Sequence, residues 1–344
     1  MNEKTRSPAP HPPSAHLAWE PAPFRAARWL RGPHFQTIGG RFLRPARGPA
    51  LTRFRLETPD GDFLDLDQGE DPGGDSPVVL VLHGLEGSTH RGYMRMAMME
   101  LQNRGLLPIG MNFRSCSGEP NRMPRFYHSG ETGDLELVLK HVAERFSGRP
   151  IGALGFSLGG NVLLRYLGER GTEVPESLRA SAAISVPYDL TEGTRLLEER
   201  KMGRVYAGLF LRSLQRKAAA KRAMLRPLLD LDRIFAARTL REFDEAATAP
   251  LHGFPGAAEY YRLASSGPVL PRIRVPTLLL HALDDPFLPA DAAPVAEVRR
   301  SPWLAGAFLP EGGHVGFIEG DNPSRPGFWA EREAARYLAA VLRG

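Results

Sequence analysis

The order of apolar and amphipathic stretches predicts an α/β protein. Its sheet should be central and mainly parallel, flanked by helices, with a helical cap inserted before the strand that ends in an acidic pair. Three observations predict it. Val78-Val79-Leu80-Val81-Leu82 is a continuous apolar, β-branched run of the kind buried on both faces of a parallel sheet. A second run, Ile151 to Leu154, enters Gly155-Phe156-Ser157-Leu158-Gly159 and passes straight into a helical pattern. A third, Pro276-Thr277-Leu278-Leu279-Leu280-His281, arrives only after a long stretch with helical and no strand patterning.

Residues 1–22 begin with a proline-rich run that has no apolar segment, and they read as a disordered leader. Leu51 to Glu57 and Phe63 to Asp67 alternate around Pro59-Asp60-Gly61, the signal of a hairpin at the sheet edge. Strand Val78 to Leu82 leads to a helix near Tyr93 to Arg104, whose Met94, Met96, Met98 and Met99 read as core packing. Leu107 to Asn112 is the next strand. Thr132 to Phe146 is the next helix, with Leu135, Leu139 and Val142 on one face. After Ile151 to Leu154 a helix runs to about Leu167, followed by strand Ser181 to Val186. Strands near Thr277 and Gly306 and a helix from Phe328 to Leu342 close the chain. The core is therefore expected to comprise residues 23–186 and 267–344, and the cap residues 187–266. An insertion between two strands of one sheet should sit over the sheet's carboxyl edge.

Composition narrows the function classes. At 344 residues and 42% hydrophobic, the chain can bury a large core. A single cysteine, Cys116, excludes an internal disulfide and a cysteine-based metal cluster. No run approaches the roughly 20 apolar residues of a spanning helix, and no secretory signal precedes the fold, so a cytoplasmic location is expected. The net charge of +5 raises nucleic acid as a partner, but no base-reading motif or stacking aromatics accompany it, and that partner is rejected. Much of the excess lies between Arg195 and Arg241, on a helical pattern whose default reading is a solvated face. The alternative is a weak peripheral contact with anionic lipid through the cap, because Val205, Tyr206, Leu209, Phe210 and Leu214 form an apolar stripe beside those charges.

The chemistry concentrates at strand ends. Strand, tight turn and helix around Gly155-Phe156-Ser157-Leu158-Gly159 define a nucleophile elbow, in which the serine takes φ > 0 and small flanking residues avoid collision. The backbone N–H of Leu158, at a helix N-terminus, would then face a developing oxyanion. A second donor is expected from the loop after Val78–Leu82, His83-Gly84-Leu85-Glu86-Gly87, through the N–H of Leu85. An acid and a histidine should follow in that order. Ala282-Leu283-Asp284-Asp285-Pro286 supplies the acid, with Asp285 favoured over Asp284, which could instead cap the turn. Glu311-Gly312-Gly313-His314 supplies a histidine between glycines. His83 and His281, at strand ends, read as structural. No metal or organic cofactor is implied, since such a serine is activated by its own base.

These residues carry a family resemblance. Gly32-Pro33-His34-Phe35-Gln36-Thr37-Ile38, His83-Gly84-Leu85-Glu86-Gly87, Asn112-Phe113-Arg114-Ser115-Cys116-Ser117-Gly118-Glu119-Pro120-Asn121 and Tyr127-His128-Ser129-Gly130-Glu131-Thr132 belong to the pattern. So do Gly155 to Asn161, Asp284 to Phe287 and Gly312 to Phe317. The chain resembles the YheT-like esterases of the α/β-hydrolase fold, relatives of eukaryotic lipid hydrolases, from about Trp29 to the last helix. The resemblance implies a hydrolase of carboxylic acyl esters with Ser157, Asp285 and His314 in the catalytic roles, acting on a small-molecule or lipid ester. Acyl transfer to an alcohol on the same three residues, and ligand binding without turnover, remain open at this stage. His128 and Asp134 are six positions apart and do not form a four-spaced His–Asp pair, which favours hydrolysis.

Overall fold

The computed structural model describes residues 11–45 and 48–344. Eight strands form one sheet: β1 (Thr52–Glu57), β2 (Phe63–Gln68), β3 (Val78–Leu82), β4 (Leu107–Met111), β5 (Ile151–Phe156), β6 (Leu178–Ile184), β7 (Thr277–Ala282) and β8 (Leu304–Leu309). Their spatial order is β1-β2-β4-β3-β5-β6-β7-β8. The β1–β2 hairpin joins antiparallel to β4, and every later pairing is parallel.

Helices are α1 (Ser14–Leu17), α2 (Pro33–Phe42), α3 (Gly92–Gln102), α4 (Thr132–Arg145) and α5 (Leu158–Arg170). Between β6 and β7 lie α6 (Leu190–Glu199), α7 (Lys201–Ala220), α8 (Arg222–Leu225), α9 (Leu231–Ala236), α10 (Leu240–Phe243), α11 (Ala249–Leu251) and α12 (Ala257–Ala264). Then come α13 (Val295–Arg300) and α14 (Trp329–Arg343). No described helix is long and apolar enough to cross a membrane.

The pleat explains why β3 is apolar throughout. Val78, Leu80 and Leu82 pack with α4 and α5, whereas Val79 and Val81 pack with α3 and α14 on the opposite face. All five are fully buried, each contributing roughly 1.5–3 kcal/mol by leaving water. Met94, Met96 and Met98 are buried, Met94 and Met98 in the layer beneath α14. On the edge hairpin, Arg53 and Arg55 face Asp67 and Asp65 across the register and cover these buried carboxylates at 2.7 and 2.8 Å.

The expected leader needs correction over part of its length. Residues 1–10 lie outside the described residues. Within residues 11–22, His16, Trp19 and Ala22 are tied to α14. His16 is buried, its Nε2–H donating to the Pro302 carbonyl (3.0 Å) while Nδ1 accepts from the Tyr337 hydroxyl (2.6 Å). Trp19 meets the Tyr337 ring edge-on, and Glu333 and Trp329 bond the backbone of Ala22. Proline content suggested disorder, but one aromatic anchor, Trp19, and His16 find partners some 300 residues away in sequence.

The helices between β6 and β7 form an apolar cluster of their own. Leu211, Leu225, Ile234 and Phe243 are buried in it, and Phe287 and Leu288 reach up from the loop after β7 to join it. One half-buried carboxyl in this region, on the cavity wall, is out of its ordinary range. Asp244 accepts from Thr248 and from the Tyr261 hydroxyl (2.7 Å), yet burial pushes its pKa from 3.8 up to about 6. The native state then holds more proton than the unfolded chain between those values, so this group's contribution falls as pH rises from about 4 to 6. Asp244→Asn should therefore raise stability at pH 7.5 by on the order of 1–3 kcal/mol, and much less at pH 4. Thermal melts at both pH values check this; a loss at pH 7.5 would mean that the anion's two hydrogen bonds outweigh its burial.

Candidate active site

Ser157 sits between β5 and α5 with φ 51° and ψ −119°, a region costing of order 1–3 kcal/mol for a residue with a Cβ. Long-range bonds hold it there: its N–H donates to the Ile184 carbonyl at 2.8 Å. The turn also demands close backbone approach. A Cβ on Gly159 would lie 2.5 Å from the His83 carbonyl oxygen, so the helix could not seat against the β3 end with any larger residue.

His314 is presented by a loop that three side chains grip. Asp284 Oδ1 accepts from the N–H of Gly313 (2.8 Å), Thr37 Oγ1 from that of His314 (2.9 Å) and Ser185 Oγ from that of Val315 (3.0 Å). Arg44, buried and paired with Glu331, donates to the Val315 carbonyl at 2.7 Å. Val315 and Ser185 both have positive φ, as does Glu86, so strained residues ring the site with Ser157.

The imidazole bridges two partners. Nδ1–H donates to Asp285 Oδ2 at 2.7 Å, and Nε2 accepts from Ser157 Oγ at 2.9 Å. Asp285 is nearly fully buried, and its other oxygen accepts from the N–H of Phe287 at 2.9 Å. The Phe287 ring stacks on the imidazole at 4.2 Å. Asp285, not its neighbour, contacts His314. Asp284 turns to the Gly313 amide and holds the loop, which differs from the local turn cap that sequence alone suggested.

Leu85 and Leu158, the two residues expected to donate to an oxyanion, line the same cavity as Ser157. Gly84 approaches so closely that a Cβ there would lie 3.1 Å from that of Ser157. The N–H groups on either side of Leu85 are spoken for: Gly84 donates to the Tyr93 hydroxyl (2.9 Å) and Glu86 to the Tyr127 hydroxyl (2.7 Å). The N–H of Leu85 has no hydrogen-bond acceptor among the described residues. Leu158 opens α5, where the first N–H groups lack intrahelical partners. Burial pushes Tyr93 up to about 12, and Tyr127 well above its ordinary value, so both phenols stay protonated.

The remaining histidines divide by environment. His83 is fully buried, donating from Nδ1 to the Gly84 carbonyl and accepting at Nε2 from Phe113, and burial drives it down to about 3. His281 is buried beside Tyr188, and burial lowers it too. His128, Glu131 and His252 bring three donor atoms within 4.8 Å of one another. Nδ1 of His128, however, accepts from the Gly130 amide, so its proton sits on Nε2, toward Glu131, and Arg125 already holds that carboxylate. This donor set does not fit a metal ion. Asp134 is taken up by Arg114 at 2.7 Å.

A cavity of about 900 Å³ opens over Ser157 and His314. Its walls are mostly apolar, with Leu197, Tyr206, Phe210, Leu214 and Tyr260 from the inserted helices and Phe287 from the loop after β7. Its size and lining suit a long apolar group with one polar centre.

Comparison with known proteins agrees with this architecture. A family model described as the alpha/beta hydrolase fold matches residues 77–321. YheT of Escherichia coli (strain K12), named as an esterase, is 39% identical over 327 residues, 93% of this chain and 94% of its own. Phospholipase ABHD3 of Mus musculus is 31% identical over 319 residues, 90% of this chain and 77% of its own. Among solved structures, the Pyrococcus furiosus esterase Pf2001 matches with a TM-score of 0.53 at 16% identity, over 94% of this chain and all of its own, a likeness of fold.

Sequence reasoning missed one element of the site. Glu86, beside the Leu85 amide, is buried and gathers Tyr127 (2.9 Å), Ser213 (2.5 Å) and Lys217 (2.7 Å). Ser213 and Lys217 lie on α7, so this cluster ties an inserted helix to the loop that offers the Leu85 N–H. Burial would lower Lys217, but the Cys116 sulfur at 3.0 Å and the Glu86 carboxylate hold it above its ordinary value. Only the local oddity of an acid beside His-Gly could have signalled this pair. Lys217→Met leaves a buried carboxylate unpaired and should destabilise the protein by roughly 2–4 kcal/mol. Adding Glu86→Gln should restore most of that. Urea unfolding of the wild type, both single variants and the double checks the coupling; simple additivity would disprove it.

Proposed function

The chain belongs to the α/β-hydrolase fold family, and from that premise we propose that it hydrolyses carboxylic acyl esters through an acyl-serine intermediate. Ser157 is the nucleophile, His314 the general base and acid, and Asp285 the group that orients the imidazole. The observation that carries this reading is the hydrogen-bonded chain Asp285–His314–Ser157, at 2.7 and 2.9 Å, on the floor of the apolar cavity. The names of the relatives, an esterase and a phospholipase, support the same bond type.

Ser157 Oγ attacks the ester carbonyl carbon as its proton passes to His314 Nε2. The carbonyl π electrons move onto oxygen, and the Leu85 and Leu158 amides receive that oxyanion. Collapse breaks the carbon–oxygen bond to the alcohol, which leaves with the proton from Nε2. Water then gives a proton to the same nitrogen and attacks the acyl-serine; collapse breaks the carbon–Ser157 Oγ bond, Nε2 returns the proton to Oγ, and the acid leaves. Asp285 remains ionised throughout, stabilising the imidazolium. The inserted helices shelter the acyl chain, and residues 187–266 act as the cap of a core formed by 23–186 and 267–344.

Turnover of p-nitrophenyl esters from acetate to palmitate tests the assignment. Ser157→Ala and His314→Ala should each lower kcat by about 10⁴-fold or more, and Asp285→Asn by about 10⁴-fold. Asp284→Asn, which only loosens the loop, should lose far less, roughly tenfold. A fluorophosphonate should label the wild type but not Ser157→Ala. Undiminished turnover in Ser157→Ala would refute the proposal.

A further inference from the structure

Two helices flank the open side of the cavity, and both leave large apolar groups in water. On α2, Phe35 is 65% and Phe42 74% exposed, with Ile38 beside them. On α7, Val205 is 52% and Leu209 51% exposed. Ile38, Phe42, Val205 and Leu209 also line the cavity, which places them at its mouth. A hydrogen bond from the Tyr206 hydroxyl to His34 Nδ1 (3.2 Å) joins the two helices, so these residues form one rim. A contiguous apolar rim around a cavity marks an interaction surface.

The charge on this rim has one sign. Helix α7 carries Lys201, Arg204, Arg212, Arg216 and Lys217 and no acidic residue, and α2 carries Arg41 and no acidic residue. Arg212 and Arg216 continue the helical line that begins at Val205 and Leu209, and both border the cavity. Neighbouring ion pairs engage Arg195 with Glu192 and Glu199, and Lys217 with Glu86. Among the described residues they leave Arg41, Arg204, Arg212 and Arg216 without a carboxylate. Apolar side chains that enter an acyl layer, bordered by cations that meet phosphates, complement an anionic membrane surface.

We infer that the α2–α7 rim docks on an anionic phospholipid bilayer, with the cavity mouth facing the lipid. An acyl ester then passes from the membrane into the cavity without crossing water. This rests on the acyl-ester reading of the cavity, and the two can fail separately.

Co-sedimentation of full-length Ser157→Ala with vesicles measures docking without turnover. Binding is expected to phosphatidylglycerol–phosphatidylcholine vesicles, at least tenfold weaker to pure phosphatidylcholine, and weakened by salt. Leu209→Ser/Arg212→Gln/Arg216→Gln should weaken it at least tenfold. Phe35→Ser/Arg204→Gln, whose side chains line no cavity wall, should weaken vesicle binding severalfold. Placed in the otherwise wild-type chain, these two substitutions should leave turnover of a soluble p-nitrophenyl ester unchanged. Soluble-ester turnover without vesicle binding would overturn the docking surface and leave the hydrolase reading standing. Equal binding by the substituted proteins would also overturn it. So would a dimer seen by light scattering that the same substitutions abolish, since the rim would then join two copies of the chain.

Discussion

Everything at the site depends on the register of four parallel strands. Ser157 follows β5, Ser185 follows β6, Asp285 follows β7 and His314 follows β8. The pairings Phe156↔Ile184, Ile184↔Leu280 and His281↔Phe308 set how far each strand end projects. A slip of one residue would move an end by ~3.3 Å and turn its side chains to the other face. The imidazole bridges partners at 2.7 and 2.9 Å, so it tolerates no such slip. The buried residues of β5, β6 and β7 fix the register, because each face is committed to a different helix layer.

On that frame the site holds strained backbone, and the strain is countered locally. Ser157, Ser185, Val315 and Glu86 all sit at positive φ. Each is tethered through a neighbouring strand or side chain: the Ile184 carbonyl for Ser157, the Leu280 carbonyl for Ser185, the Ser185 hydroxyl for Val315 and the Tyr127 phenol for Glu86. The tethers run between separate segments of the chain, so the strained turns constrain one another.

Helix α2 links chemistry to the proposed docking surface. Its inner side supplies Thr37 to the His314 amide and, just beyond its end, Arg44 to the Val315 carbonyl. Its outer side presents Phe35 and Phe42 to solvent. The α7 helix is similar in kind, with Lys217 and Ser213 gripping Glu86 on its inner side and Val205 and Leu209 outside. Both walls of the mouth are thus anchored to loops that border Ser157 and His314.

Much of this was legible along the chain. The β3 run, the elbow at Ser157 and the glycines around His314 are local signals, because backbone geometry there restricts residue type over a few positions. Strand and helix order followed from the same periodicities. Other features had a slight local signature or none. Asp284 and Asp285 are adjacent and chemically identical, and only the path of the loop after β7 directs one to the imidazole and the other to Gly313. Helix α2, with a proline at its start and two glycines inside, carries a weak helical pattern and acquires its role through the His314 amide, which Thr37 holds. Glu86 and Lys217, and likewise His16 and Tyr337, pair across more than a hundred residues. What the sequence by itself determined is therefore the kind of fold and the chemical groups at each strand end, since near-neighbour sterics and burial periodicity write these directly into residue choice. Which groups touch, and which helices stand over them, was decided only when tertiary packing brought distant segments to one edge.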